Sequence, residues 1–201
     1  MPLSFLRRRR PIEIFVEGND AERRKSYMLA AKEVMVNRGF DVLTVTEDDE
    51  YAKENGLLRD MKKSRGDRPS VRAFLVLGCL RHHVLRSSYV KTKGGAYDVV
   101  LHESHPSTAL RLHEADACVR DMFGLMDTLF DFITPPAITI FLREDVPKKS
   151  SKEQKMYEDI MGERVKRGGT VYDITTKKLP KEEVATRMCE AFNRSYALLR
   201  G

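Results

Sequence analysis

Long hydrophobic runs are missing from this chain. Its longest apolar stretches, around residues 74–80 and 135–142, reach half or less of the roughly 20 residues that a membrane-spanning helix needs. Cysteine is scarce as well. Cys79, Cys118 and Cys189 are far apart and odd in number, which excludes a disulfide framework and points to reduced core residues in a reducing compartment. Residues 1–10 lack the apolar stretch, roughly 7 to 15 residues long, of a secretory signal. Several catalytic signatures are also absent. There is no G-x-S-x-G, no H-E-x-x-H, no C-x-x-C and no G-x-G-x-x-G. Nucleophile-elbow hydrolysis, zincin chemistry, thiol redox chemistry and dinucleotide binding therefore find no support.

What is present suits a single globular body. The 201 residues suffice for one well-buried domain and are too few for two comfortable ones. The formal charge is 36 − 30 = +6, and four of those charges are Arg7, Arg8, Arg9 and Arg10, in a segment with no acid before Glu13. Subtracting them leaves 6 − 4 = +2 for the rest, so the body carries no broad basic field. The expected organisation is a basic N-terminal arm over residues 1–11 and one α/β domain over residues 12–201. The arm is Arg-rich and acid-free, with some likeness to a mitochondrial presequence. Equally, it suits electrostatic contact with nucleic acid, lipid headgroups or an acidic protein.

Strand and helix patterns alternate along the domain. Residues 12–17 read as a buried strand between Pro11 and Gly18, and residues 22–38 as a helix with Met28, Ala31 and Met35 on one face. Further apolar strands are predicted at 41–46, 97–101, 138–142 and 170–174. Helices are predicted over 70–89, 112–132, the segment ending near 166, and from Pro180 onward, the last with Val184, Met188 and Ala191 inward. Five strands separated by helical crossovers predict a five-stranded parallel sheet covered on both faces, a three-layer α/β/α sandwich. Ligands of such sheets sit beyond the carboxyl ends of the strands, here near residues 17–26, 46–49, 102–105 and 143–145.

The first strand runs into Glu17-Gly18-Asn19-Asp20 and then reaches Lys25-Ser26, expected at the head of a helix. A phosphate loop has that placement: backbone N–H groups and the helix start cradle phosphate, the lysine neutralises it and the hydroxyl holds magnesium. With its surroundings, the segment EGNDAERRKS resembles the E-G-x-D-G-x-G-K-S/T string of the thymidylate kinase and deoxynucleoside kinase family. The likeness continues in order over most of the chain. DVLTVTE (41–47) is similar to the family's second strand, which often ends in Glu. FLVLGCLRHHV (74–84) resembles the helix that carries an arginine toward substrate. VVLHESHPST (99–108) resembles the strand before D-R-Y-x-x-S-S or E-R-S, PAITIFL (136–142) the strand before the lid, and LPKEEV (179–184) the closing helix. The resemblance implies a P-loop nucleoside or nucleotide kinase fold. In an active member, ATP and Mg²⁺ would be cofactors, Gly18, Arg24, Lys25, Ser26 and Arg81 would meet phosphate, and Glu47 or Glu103 would act as base or metal-positioning acid.

The departures fall on those same positions. Ala21, Glu22, Arg23 and Arg24 stand where the family places glycines around variable residues, and glycine is what lets backbone amides close on phosphate. The distance from Gly18 to Lys25 is one residue too long; without a gap, Arg24 takes the lysine position and Lys25 the hydroxyl position. In the second motif His102 and Glu103, or Glu103 and Ser104, replace the acid–arginine pair, so the arginine is lost. The lid stretch DVPKKSSKEQK offers lysines where arginine forks would stabilise the transferring group. Of the histidines, His102 and His105 flank Glu103, but their spacing fits no zinc pattern and no metal is expected.

Three readings follow. The first is a non-catalytic structural or interaction protein on a degenerate kinase fold. It needs no cofactor and works as a subunit among other proteins of a large assembly, a viral particle or an organellar complex, with Arg7 to Arg10 as the partner-binding arm. The second is an active thymidylate or deoxynucleoside kinase with an atypical phosphate loop, transferring the γ-phosphoryl group of ATP. The third is nonspecific nucleic-acid or anionic-surface contact through the arm. The compartment is expected to be intracellular and reducing: cytoplasm, virus particle or mitochondrion.

Overall fold

A computed structural model describes residues 11–18, 20–46, 88, 90–91, 96–105, 108, 137–143 and 151–200. They form five strands and three helices: β1 (Ile12–Gly18), α1 (Ala21–Asn37), β2 (Val42–Val45), β3 (Val99–Glu103), β4 (Ile138–Arg143), α2 (Ser151–Lys166), β5 (Thr170–Thr175) and α3 (Lys181–Arg200). The helices expected over 70–89 and 112–132 fall outside the described residues, apart from isolated positions, as do Cys79 and Cys118.

The strands make one sheet in the order β2-β3-β1-β4-β5, and every pair is parallel. β1 sits at its centre, with Val16 opposite Glu103 on one side and Ile140 on the other. Parallel strands buried on both faces read as near-continuous apolar runs, and β3 and β4 are buried along almost their whole length. Side chains alternate between the two faces. Ile14, Val16, Leu101, Ile140 and Leu142 pack with Met28, Ala31 and Met35 of α1 and Val184, Met188 and Phe192 of α3. On the opposite face Phe141 meets Tyr157, Ile160 and Met161 of α2. The architecture is therefore α/β, with a helix layer on each side of a five-stranded parallel sheet.

The helix ends are fixed locally. Asp20 caps α1, its carboxylate accepting the N–H of Arg23 at 3.1 Å. α2 closes at Gly168, where φ of +86° favours glycine; the N–H groups of Gly168 and Gly169 return to the carbonyls of Val165 and Arg164. That closure holds the last turn of α2, and with it Arg164, against the sheet. Gly18, the last residue of β1, is small for a different reason. A Cβ there would lie 3.0 Å from the Leu142 carbonyl oxygen and 3.3 Å from its Cβ, so the β1–β4 contact leaves little room for a side chain.

Candidate functional site

The carboxyl edge of the sheet carries two buried acids, and each is met by an arginine from the helix on its own face. Glu17 points to the α2 face. Its Oε1 accepts from the His105 N–H at 2.9 Å, the Thr108 hydroxyl at 2.7 Å and Arg164 Nη2 at 2.8 Å, and its Oε2 accepts from the Ser104 hydroxyl at 2.9 Å. Arg164 also donates to the hydroxyls of Thr139 and Thr108. Glu17 is fully buried and Arg164 nearly so. A carboxylate in that position persists only because charge and hydrogen bonds match it on all sides.

Glu103 points to the α1 face, where Arg24 Nη2 lies 3.5 Å from its Oε1. Arg24 Nη1 donates to the Gly18 carbonyl at 2.6 Å, and the Tyr157 hydroxyl from α2 donates to the same oxygen at 3.3 Å. Arg24 and Glu103 are both buried. Ser104, just past β3, holds φ of +57°, an unfavourable conformation for a residue with a Cβ. It serves the network: the Ser104 N–H donates to the Val16 carbonyl at 2.9 Å while its hydroxyl meets Glu17.

The connection from β1 to α1 differs from the sequence expectation. The phosphate-loop reading puts Lys25 and Ser26 at the helix head, but the helix read over 22–38 begins at Ala21, so they are its fifth and sixth residues, in the second turn. Only Asn19 and Asp20 separate β1 from α1. The physical reason is capping. Asp20 supplies the oxygen that an orphan N–H of the first turn requires, and the Asp20 carbonyl accepts the Arg24 N–H at 2.9 Å. Ala21, Glu22, Arg23 and Arg24 have good or moderate helix propensity, and without glycines nothing draws them into a loop. Two of the backbone donors near the helix start, the N–H groups of Arg23 and Arg24, are taken by the Asp20 side chain and carbonyl.

Glu47, Arg81 and Arg7 to Arg10 lie outside the described residues. His102 stacks on Phe15 with ring centroids 4.3 Å apart, and its Nε2 lies 2.9 Å from Glu13 Oε2. His105 meets the same Phe15 ring edge-on. Among the described residues no three His, Cys, Asp or Glu side chains converge as metal ligands. At the end of β4, Arg143 is forked onto Asp173 of β5 and reaches Glu158 of α2 at 2.6 Å. The hydrogen bonds to Asp173 hold this guanidinium above its already high range.

Sequence reasoning missed Glu17 and Arg164. A single acid at the end of an otherwise apolar strand, IEIFVEG, was the available signal for Glu17. Arg164 carried none, because its partners lie 147, 56 and 25 residues away.

The sheet and its helix layers share their fold with a solved kinase structure. A thymidylate kinase from Ehrlichia chaffeensis has a similar solved structure, with a TM-score of 0.59 over 90% of this chain and 98% of that one, at 16% sequence identity. No protein-family model matches the sequence, and no curated protein matches it significantly.

Proposed function

We propose that this chain is a non-catalytic protein built on a nucleotide-kinase fold, working as a structural or interaction subunit of a larger assembly. The observation that carries this reading is the short β1–α1 connection, with Asp20 on the first turn of α1 and Arg24 seated between Gly18 and Glu103. Phosphoryl transfer relies on backbone amides, cations and metal-positioning acids preorganised around the phosphates. Here the Arg23 and Arg24 amides are taken up by Asp20, and each edge acid already has an arginine. The Glu22 carboxylate, in the first turn of α1, also adds a charge that repels a phosphate approaching the helix start.

Arg7 to Arg10 supply the contact in this reading. Four adjacent guanidinium groups suit an acidic protein surface or another polyanion, and the host is a viral particle or an organellar complex in a reducing compartment. Deleting residues 1–10 is expected to weaken co-assembly; incorporation at full level would count against the arm.

The likeness of fold to a thymidylate kinase favours a second reading, an active kinase using ATP and Mg²⁺. It requires the first turn of α1 to unwind, freeing the amides, Lys25 and Ser26, and releasing Glu103 from Arg24. Calorimetric titration with Mg-ATP, and then with a bisubstrate analogue joining adenosine and thymidine phosphates, separates the two. The proposal expects no heat up to millimolar ligand from folded protein. Micromolar binding that disappears in Lys25→Ala would overturn it.

A further inference from the structure

We propose that the amino edge of the sheet is a docking face for an acidic, partly apolar segment of a protein partner. Arg7 to Arg10 supply part of the cationic grip, and the far ends of the helices supply the rest. The proposal rests on the subunit reading given above and adds which face meets the partner and what chemistry that partner carries.

Chain direction brings the parts together. The Ile12 N–H donates to the Asp98 carbonyl at 2.9 Å, so the segment before Pro11 joins the sheet at the amino end of its central strand. β1 is seven residues long, which puts this edge roughly 20 Å from the closed site at Gly18. Because the strands are parallel, α1 and α2 run back from the carboxyl edge and end here. So does α3, whose Phe192 and Tyr196 meet the ring of Phe40 just before β2.

The arginines divide by position. Arg23, Arg24, Arg143, Arg164 and Arg187 each lie against an aspartate or glutamate. At the amino edge Arg38, Lys166, Arg167 and Arg194 are exposed, and among the described residues none of them has a carboxylate partner. Cations suit the end of a helix, but Arg194 lies six residues before the last residue of α3, outside its final turn. Asp41 and Asp98 share this edge, and the Asp98 carboxylate already accepts the Asp41 N–H at 3.0 Å.

Apolar groups decide which polyanion fits. Among the described residues the exposed large hydrophobics are Leu29, Val36 and Val165. Val36 and Val165, 48% and 56% exposed, stand in the last turns of α1 and α2, close in sequence to Arg38 and Lys166. A phosphate backbone offers such side chains nothing. The Phe40 and Tyr196 rings are packed with Phe192 and give bases no platform to stack on. A peptide that carries both carboxylates and apolar side chains satisfies the guanidinium forks and the valines at once.

The test is fluorescence anisotropy of the full chain with three labelled probes at about 0.15 M salt. The probes are a peptide of glutamates interspersed with leucines, polyglutamate of the same charge, and a single-stranded oligonucleotide of the same charge. The leucine-containing peptide is expected to bind most tightly, with Kd on the order of micromolar. Arg167→Glu/Arg194→Glu, Val36→Ser/Val165→Ser and deletion of residues 1–10 are each expected to weaken it about tenfold or more. Lys181→Glu, an exposed change at the opposite edge, is expected to leave it unaltered. Should charge reversal unfold the chain, Arg167→Gln/Arg194→Gln keeps the stems and is expected to weaken binding about threefold or more. Wild-type affinity in a folded double variant of either pair overturns the proposal. Polyglutamate binding as tightly as the leucine-containing peptide does so too, as does the absence of peptide binding up to millimolar. Tighter binding of the oligonucleotide overturns it in favour of a nucleic acid. None of these results depends on Mg-ATP, so the non-catalytic reading and this docking face fail separately.

Discussion

Removing Arg164 tests the buried charge arrangement most sharply. In Arg164→Met the apolar stem is retained, while Glu17 loses its only arginine among the described residues and Thr139 loses a donor. Three hydrogen bonds to Glu17 remain, from Ser104, His105 and Thr108, but its charge is left in a fully buried position. Breaking one side of a buried pair costs about 3–5 kcal/mol, about a fifth or more of the roughly 5–15 kcal/mol that holds a typical domain folded. With a urea slope of roughly 2 kcal/mol/M for a chain of this size, the unfolding midpoint should fall by about 1.5–2.5 M with the slope unchanged. The double variant Glu17→Gln/Arg164→Met removes both charges and should recover much of that loss. A single variant shifted by less than about 1 kcal/mol, the range of an exposed pair, would refute the claim that Arg164 neutralises a buried carboxylate.

Three further outcomes are expected. Gly18→Ala places a Cβ 3.0 Å from the Leu142 carbonyl oxygen, backbone that cannot swing aside, and should lower stability by about 1–3 kcal/mol in thermal denaturation. Asp20→Ala should cost about 0.5–2 kcal/mol through loss of the α1 cap, and Asp20→Asn much less, in the same assay. Burial pushes the Cys189 thiol above its ordinary range, against a smaller opposing pull from Arg38. The folded state therefore favours the protonated thiol. Its contribution is present below the unfolded thiol pKa and is lost as pH climbs from there through the folded value. Stability should accordingly fall on the alkaline side, less so in Cys189→Ala, and folded protein should resist thiol alkylation at neutral pH.

Much of the fold was legible because apolar periodicity records burial. The strands read at 12–17, 138–142 and 170–174 each extend one residue further, and α1 lies one residue upstream of its predicted span. β3 shows where periodicity fails. Its span was read as 97–101 because Tyr97 is apolar and His102 and Glu103 are not, yet the strand runs from Val99 to Glu103 with both polar residues buried. His102 is accommodated by the Phe15 ring and Glu13, and Glu103 by Arg24; all three partners are distant in sequence. The same holds for the site. Loss of the glycines was visible in EGNDAERRKS, but the arginine on each face of the sheet follows from tertiary contacts that no local pattern encodes. Cys189 is buried, as expected of a core thiol.

The most direct test of the account is the backbone NMR signature of residues 18–26, with and without millimolar Mg-ATP. The account predicts helical carbon shifts from Ala21 onward and no movement of these amide resonances on adding nucleotide. Non-helical shifts over Ala21 to Arg24, or downfield movement of the Ala21 to Ser26 amides as nucleotide is added, would mean that this turn opens into a phosphate cradle, contradicting the closed site.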